Sequence, residues 1–374
     1  MKTIGYIHES DPFHDRKAWS GTIFKIREAI ENAGFNVIWI PCRIPVIKDL
    51  LFKSYIKLRY GKTAITTHNP YVYKELAKSI DKALIEKCDY IFFPGGVQLS
   101  IFLNFRKPII YYSDATIHIL LDYYFHNQPK AIITEAEKYE ALGIKRADLC
   151  IMSSDWAINS VIHDYHYPKE KTKVLEFGPN LDIKDLHNQY KTPSNQLNIL
   201  LSGVDYVRKG GAIAIETTKL LRNKGINAVL TIVGMKNIPK EKQKLSFVKI
   251  VGFLNKNIEK DYNEYINIWR NSHILLLPTQ AECSAIVYCE AAAFGIPVFT
   301  YETGGVSNYV LDRISGRCLV RSSSATNFAN AIIEALNNNK LKEYSEGQLQ
   351  LYHSKLNWEI WSQRFKNIMS EQKF

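Results

Sequence analysis

Ile274-Leu275-Leu276-Leu277-Pro278-Thr279-Gln280-Ala281-Glu282-Cys283-Ser284-Ala285-Ile286-Val287-Tyr288-Cys289-Glu290 joins a short apolar run to a polar loop and then to a second apolar segment, and it carries two acids. Four aliphatic residues stopped by Pro278 read as a fully buried strand, so the loop emerges at the strand's carboxyl end. Open α/β sheets bind ligands at that edge. Ser284 reads as the N-cap of a helix through Ala291, Ala292 and Ala293, and Gly295 and Pro297 end it before the next strand, Val298-Phe299-Thr300. Glu282 then precedes the helix, and Glu290 lies inside it.

A pair of carboxylates first suggests glycoside hydrolysis, in which the two acids flank one bond at roughly 5 to 10 Å. Eight helical residues advance about 12 Å, which favours two acids gripping different parts of one long ligand. A sugar nucleotide is such a ligand: carboxylates accept hydrogen bonds from vicinal hydroxyls, and a helix N-terminus between them suits a diphosphate. Two ordinary acids flanking a helix are the competing reading. A second motif weighs against it. Leu197-Asn198-Ile199-Leu200-Leu201 reads as another buried strand and runs into Ser202-Gly203-Val204-Asp205-Tyr206-Val207-Arg208-Lys209-Gly210-Gly211, before a helix over about 212–223. Glycines such as Gly203 let backbone approach an anion, Arg208 can fork two phosphate oxygens, and Lys209 supplies a point charge.

On Arg208-Lys209-Gly210-Gly211, Ile232-Val233-Gly234, Glu282 with seven residues before Glu290, 291–298, and Gly304-Gly305, in that order, the chain resembles family 4 (group 1) retaining glycosyltransferases of the GT-B fold. Trp19-Ser20-Gly21-Thr22 resembles the glycine loop of the same family. The resemblance implies an α/β chain of two Rossmann-like, doubly wound parallel-sheet domains facing across a cleft. It implies a donor that is a UDP- or GDP-sugar and transfer with retained configuration. Arg208 and Lys209 are then expected to stabilise the departing diphosphate without a metal, and Glu290 to hold the ribose. Glu282 is expected to contact the transferred sugar, with the backbone of Cys283, Ser284, Ala285 and Ile286 positioning it. Gly21 is expected to admit the phosphates from the first domain, and backbone around Gly252 and Phe253 to read the base. Many relatives place a histidine after the strand corresponding to 109–112. This chain has Ser113-Asp114-Ala115-Thr116 there and then His118, so Asp114 and His118 are the candidates for the acceptor side.

At 374 residues the chain suits two α/β domains, and a hydrophobic share of 46% is that of a globular protein. The apolar runs are too short to cross a bilayer, and Met1-Lys2-Thr3-Ile4 leads straight into a strand, so a cytoplasmic location is expected. Six cysteines without CxxC spacing fit reduced core thiols, and no structural metal is expected. The net charge of +11 calls for acidic partners. Nucleic acid is excluded on motif grounds, since no zinc-finger, RRM or basic-helix signature accompanies the charge. Over 46–60, aliphatic and aromatic residues recur at helical spacing among lysines; this segment either lies on a membrane surface or packs on its own sheet with snorkelling lysines.

Apolar runs at 4–7, 37–40, 90–93, 109–112 and 149–152, separated by helical patterns, and a fresh series from Leu197 argue for two parallel sheets. The expected domains are 1–185, joined by a tail from about 358 to 374, and 186–357, with 182–196 as linker. The expected function is sugar transfer to a glycan, lipid-linked or small-molecule acceptor hydroxyl in bacterial surface polysaccharide or glycolipid synthesis, with peripheral membrane contact. A GT-B-fold epimerase or phosphorylase, a soluble-acceptor metabolic transferase and a non-catalytic binding subunit are the alternatives.

Overall fold

The computed structural model describes every residue except 62–63, 187–191 and 373–374; part of the expected linker therefore lies outside the described residues. The chain divides into two compact units, Met1–Leu175 with Ser362–Phe374, and Glu176–Trp361. The sequence placed these divisions at 185/186 and near 358.

In the first unit, the strands are β1 (Thr3–His8), β2 (Asn36–Pro41), β3 (Tyr90–Pro94), β4 (Ile109–Ser113), β5 (Leu149–Met152) and β6 (Thr172–Val174). They form one parallel sheet in the order β2-β1-β3-β4-β5-β6. The runs are apolar throughout because helices cover both faces: Ile4, Tyr6, Ile91, Phe92, Ile110, Tyr112 and Ile151 are all buried. Chain order reverses between β1 and β3, so the loops following those strands flank the switch point of this sheet.

The second unit repeats the plan with β7 (Leu197–Ser202), β8 (Ala228–Val233), β9 (Val248–Val251), β10 (Ile274–Leu277), β11 (Val298–Tyr301) and β12 (Gly316–Leu319). Their order is β12-β11-β10-β7-β8-β9, again all parallel. The chain runs outward from β7 through β8 to β9, then returns to start β10 on the other side of β7. The switch point therefore lies between β7 and β10, whose carboxyl ends carry the basic loop and the first acid.

The carboxyl-terminal stripe is one helix, Trp358–Glu371. In the second unit, Trp358 donates its indole N–H to the Pro179 carbonyl at 2.8 Å. In the first, Phe365 packs edge-on against Phe35 and Phe92. The segment 46–60 is also one helix, Val46–Tyr60, and of its fifteen residues only Ile56 is buried. Among the described residues no helix is long and apolar enough to cross a membrane. The six cysteines are unbridged, and burial pushes the Cys42 and Cys318 thiols up to about 12.

Candidate active site

Two loops meet at the switch point of the second sheet because glycine leaves them room. Gly210 sits at a left-handed φ of 73°, directly before the helix Gly211–Asn223; a Cβ there would fall 2.1 Å from the Pro278 carbonyl oxygen. Only glycine permits that approach without strain or collision. The two loops are then tied through backbone, with the Gln280 N–H donating to the Arg208 carbonyl at 2.8 Å. In return, Arg208 Nη1 donates to the Ala281 carbonyl at 3.0 Å. Gly203 does the same service for a side chain: a Cβ at 203 would stand 3.0 Å from Lys209 Cγ, so its absence lets the lysine stem lie along the loop.

Lys209 ends on Glu282. Its ammonium donates to Oε2 of that carboxylate, and Arg208 Nη1 lies 3.9 Å from the same oxygen. Lys209 and Glu282 are 7% and 5% exposed, so the pair is held largely out of water while Arg208 stays at the rim. Two cations around one buried carboxylate leave an excess of fixed positive charge at a sheet edge, an arrangement able to compensate negative charge on a ligand without reorganising. The Glu282 carbonyl accepts from the Gly305 N–H at 3.1 Å, which ties the loop after β11 to the same acid.

Ser284 is not the N-cap expected from the sequence. The helix runs over Ile286–Ala293, and its N-cap, Ala285, offers no side-chain oxygen. The Ser284 hydroxyl is engaged instead with the Tyr309 phenol, whose own ionisation is pushed far up, first by burial and then by the neighbouring Cys289. The N-cap residue thus supplies no side-chain cap to the helix start, an arrangement that suits an anion. Cys283 and Ala285 are buried beside them, whereas Ile286 is half-buried. The late start also corrects the spacing argument, because only the second half of the interval 282–290 is helical.

Glu290 is fully buried, and its two oxygens have separate partners: Lys256 Nζ donates to Oε1 at 2.6 Å and Tyr265 Oη to Oε2 at 2.6 Å. Burial and this carboxylate hold the Tyr265 phenol well above the usual tyrosine range. Lys256 also reaches the Asn180 carbonyl at 3.4 Å. Sequence reading did not find Lys256 or Tyr265. The signal available was indirect: an acid inside Tyr288-Cys289-Glu290-Ala291-Ala292 must be paired if it is buried. Gly252 and Phe253 lie on the loop after β9, where the Gly252 carbonyl accepts from the Gly234 N–H at 3.2 Å and the Phe253 ring is exposed.

The remaining candidates belong to the first unit. Trp19, Ser20 and Gly21 take positive φ in succession, at 48°, 59° and 94°, and Gly21 opens the helix Thr22–Asn32. Asp114 directly follows β4. His118, on a short turn of helix, has Nδ1 at 2.8 Å from Glu137 Oε1 and Nε2 at 3.8 Å from Asp164 Oδ1, so its ring is held between two carboxylates. The adjacent Ile117 N–H donates at 2.7 Å to the buried Glu140, which also accepts from the Tyr165 hydroxyl.

This architecture is the GT-B fold. The chain superposes on sucrose-phosphate synthase of Thermosynechococcus elongatus with a TM-score of 0.69, covering 99% of each chain at 15% identity. It superposes on HepE of Anabaena, solved with UDP and glucose, with a TM-score of 0.67, covering 100% of each at 16% identity. In sequence it is 27% identical over 194 residues to the lipopolysaccharide 1,2-N-acetylglucosaminetransferase of Salmonella typhimurium; the match covers 50% of this chain and 51% of that protein. The chain thus spans about half the length of the curated relative it matches. Residues 182–347 match the model of the family described as glycosyl transferases group 1. That span contains Arg208, Lys209, Lys256, Tyr265, Glu282 and Glu290.

Proposed function

We propose that the protein is a retaining, metal-independent glycosyltransferase of family 4 that moves a sugar from a UDP- or GDP-sugar to an acceptor hydroxyl, in the synthesis of a bacterial surface polysaccharide or glycolipid. The observation that carries the reading is the Arg208–Lys209–Glu282 cluster at the β7/β10 switch point. As the bond from the anomeric carbon to the diphosphate breaks, its electron pair stays on the phosphate oxygen, and the acceptor oxygen forms the new bond and gives up its proton to that departing phosphate oxygen. The negative charge arising on the diphosphate is met by Lys209 and Arg208. The uncapped helix start at Ile286 faces the same negative charge with backbone N–H groups. Glu282 then serves the sugar and Glu290 the ribose, with Lys256 and Tyr265 fixing the Glu290 carboxylate. The Salmonella relative's name and the UDP and glucose in the Anabaena structure support the envelope setting and the donor class. A cytoplasmic protein working at the inner face of a membrane fits a lipid-linked acceptor.

The test is release of nucleoside diphosphate from UDP- and GDP-sugars. Lys209→Met alone leaves the Glu282 carboxylate buried, so stability falls along with turnover. The double variant Lys209→Met/Glu282→Gln removes both charges: it is expected to recover the parental urea midpoint while turnover stays down by about 10²-fold or more. Parental turnover in the double variant would overturn the assignment.

A further inference from the structure

The helix Val46–Tyr60 has an outer face that nothing among the described residues covers. Val46 is 74% exposed, Ile47 73%, Leu51 66% and Leu58 89%, with Leu50 and Tyr55 also exposed. At 100° per residue, positions 46, 47, 50, 51, 55 and 58 fall within one half of the helix circumference. The opposite side holds the helix on its unit: Ile56 is buried, Phe52 stacks on Tyr71 at 4.7 Å, and Lys48 reaches Glu75 at 2.7 Å. The basic side chains lie along the two seams between these faces, Lys53 and Lys57 on one and Lys48 and Arg59 on the other. Asp49, the only acid of the helix, is engaged by Lys53 at 2.6 Å. Beside the helix runs an open groove of about 990 Å³ that includes Tyr55, Tyr60, Tyr71 and Lys130, amphipathic side chains of the kind enriched at headgroup level.

We infer that this helix is a membrane-docking element, lying in the plane of an anionic bilayer with Val46, Ile47, Leu50, Leu51 and Leu58 among the acyl chains and Lys53, Lys57 and Arg59 at the lipid phosphates. An apolar face bordered by basic residues on both sides is the pattern of an interfacial helix. The basic borders favour an anionic bilayer over a second copy of the chain, since two such helices facing each other bring like charges together. The inference deepens the proposed function, because a surface-bound enzyme meets a lipid-linked acceptor where it resides, but its test uses neither donor nor acceptor.

The experiment is co-sedimentation of the full chain with phosphatidylcholine vesicles, with and without 30% phosphatidylglycerol, a composition chosen as an order-of-magnitude match to anionic leaflets. Binding is expected to the anionic vesicles, weakening as salt rises. Each basic residue near the surface carries about fivefold in affinity, so Lys53→Glu/Lys57→Glu should lose more than about 25-fold. Ile47→Ser/Leu51→Ser/Leu58→Ser alters only exposed positions, so it should keep the parental melting curve while losing vesicle binding. Absence of binding to anionic vesicles, parental binding by both variants, or a concentration-dependent dimer that binds no vesicles would each overturn the inference. Vesicle binding without any sugar transfer would leave it standing and count against the proposed function alone.

Discussion

Replacing Gly210 by alanine perturbs the site through geometry alone, with no change of charge. Position 210 holds a φ of 73°, and a left-handed conformation costs a non-glycine residue about 1 to 2 kcal/mol. The added methyl also meets the Pro278 oxygen at 2.1 Å, where an ordinary carbon–oxygen approach is about 3.3 Å. The two loops must therefore part by more than about 1 Å, and they carry Lys209 and Glu282. Misplacement by about 1 Å at a reacting centre costs about 10²-fold, so turnover should fall by that factor while stability falls by a few kcal/mol. Gly225 provides the control. Its φ is 85° and nothing lies within 4 Å of its would-be Cβ, so Gly225→Ala carries the backbone cost without the collision. The assay is urea unfolding of both variants beside release of nucleoside diphosphate. Turnover of Gly210→Ala equal to that of Gly225→Ala, once both are folded, would refute a role for the loop contact at Pro278 in placing Lys209 and Glu282.

Three further outcomes follow from particular contacts. Lys256→Met leaves the Glu290 carboxylate buried with only the Tyr265 hydroxyl of these two donors, and should destabilise the second unit by about 3 to 5 kcal/mol in denaturant titration; Lys256→Met/Glu290→Gln should restore most of it. Burial pushes the Glu140 carboxyl from 4.5 up to about 7, against the hydrogen bonds from Tyr165 and Ile117. The native state then keeps a proton that the unfolded chain releases, so stability falls as pH rises from about 4.5 to about 7, by roughly 3 kcal/mol in all. Glu140→Gln should flatten that slope in urea titrations across the window, and an unchanged slope would exclude Glu140 as its source. Arg208→Ala removes a rim cation and one bond to the Ala281 carbonyl, and should weaken nucleoside diphosphate affinity measured calorimetrically while moving the melting temperature little.

Much of this fold was legible because buried parallel strands are short apolar runs with sharp stops. The run at 149–152 matches β5 end to end, and the helix expected from about 212 begins at Gly211. The Arg208-Lys209 and Glu282 loops were legible because each follows such a run, which puts both at a carboxyl edge. Their meeting at one switch point required strand order, which sequence spacing does not contain. The N-cap at 284 failed for a tertiary reason: serine caps helices when its hydroxyl is unclaimed, and here Tyr309 claims it. Lys256 and Tyr265 lie 34 and 25 residues before Glu290, and only the folded chain brings them to it. The Val46–Tyr60 helix was ambiguous because Phe52 and Ile56 pack inward while Val46, Ile47, Leu51 and Leu58 face outward, so composition alone admits both readings.

The most direct test of the account is calorimetric titration of the parent chain and of Lys209→Met/Glu282→Gln with UDP and with GDP. The parent is expected to bind one of the two, and the double variant, folded to the parental midpoint, to bind it at least about tenfold more weakly. Binding of neither nucleotide by the parent, or equal affinity in parent and variant, would contradict a donor site built on Arg208, Lys209 and Glu282.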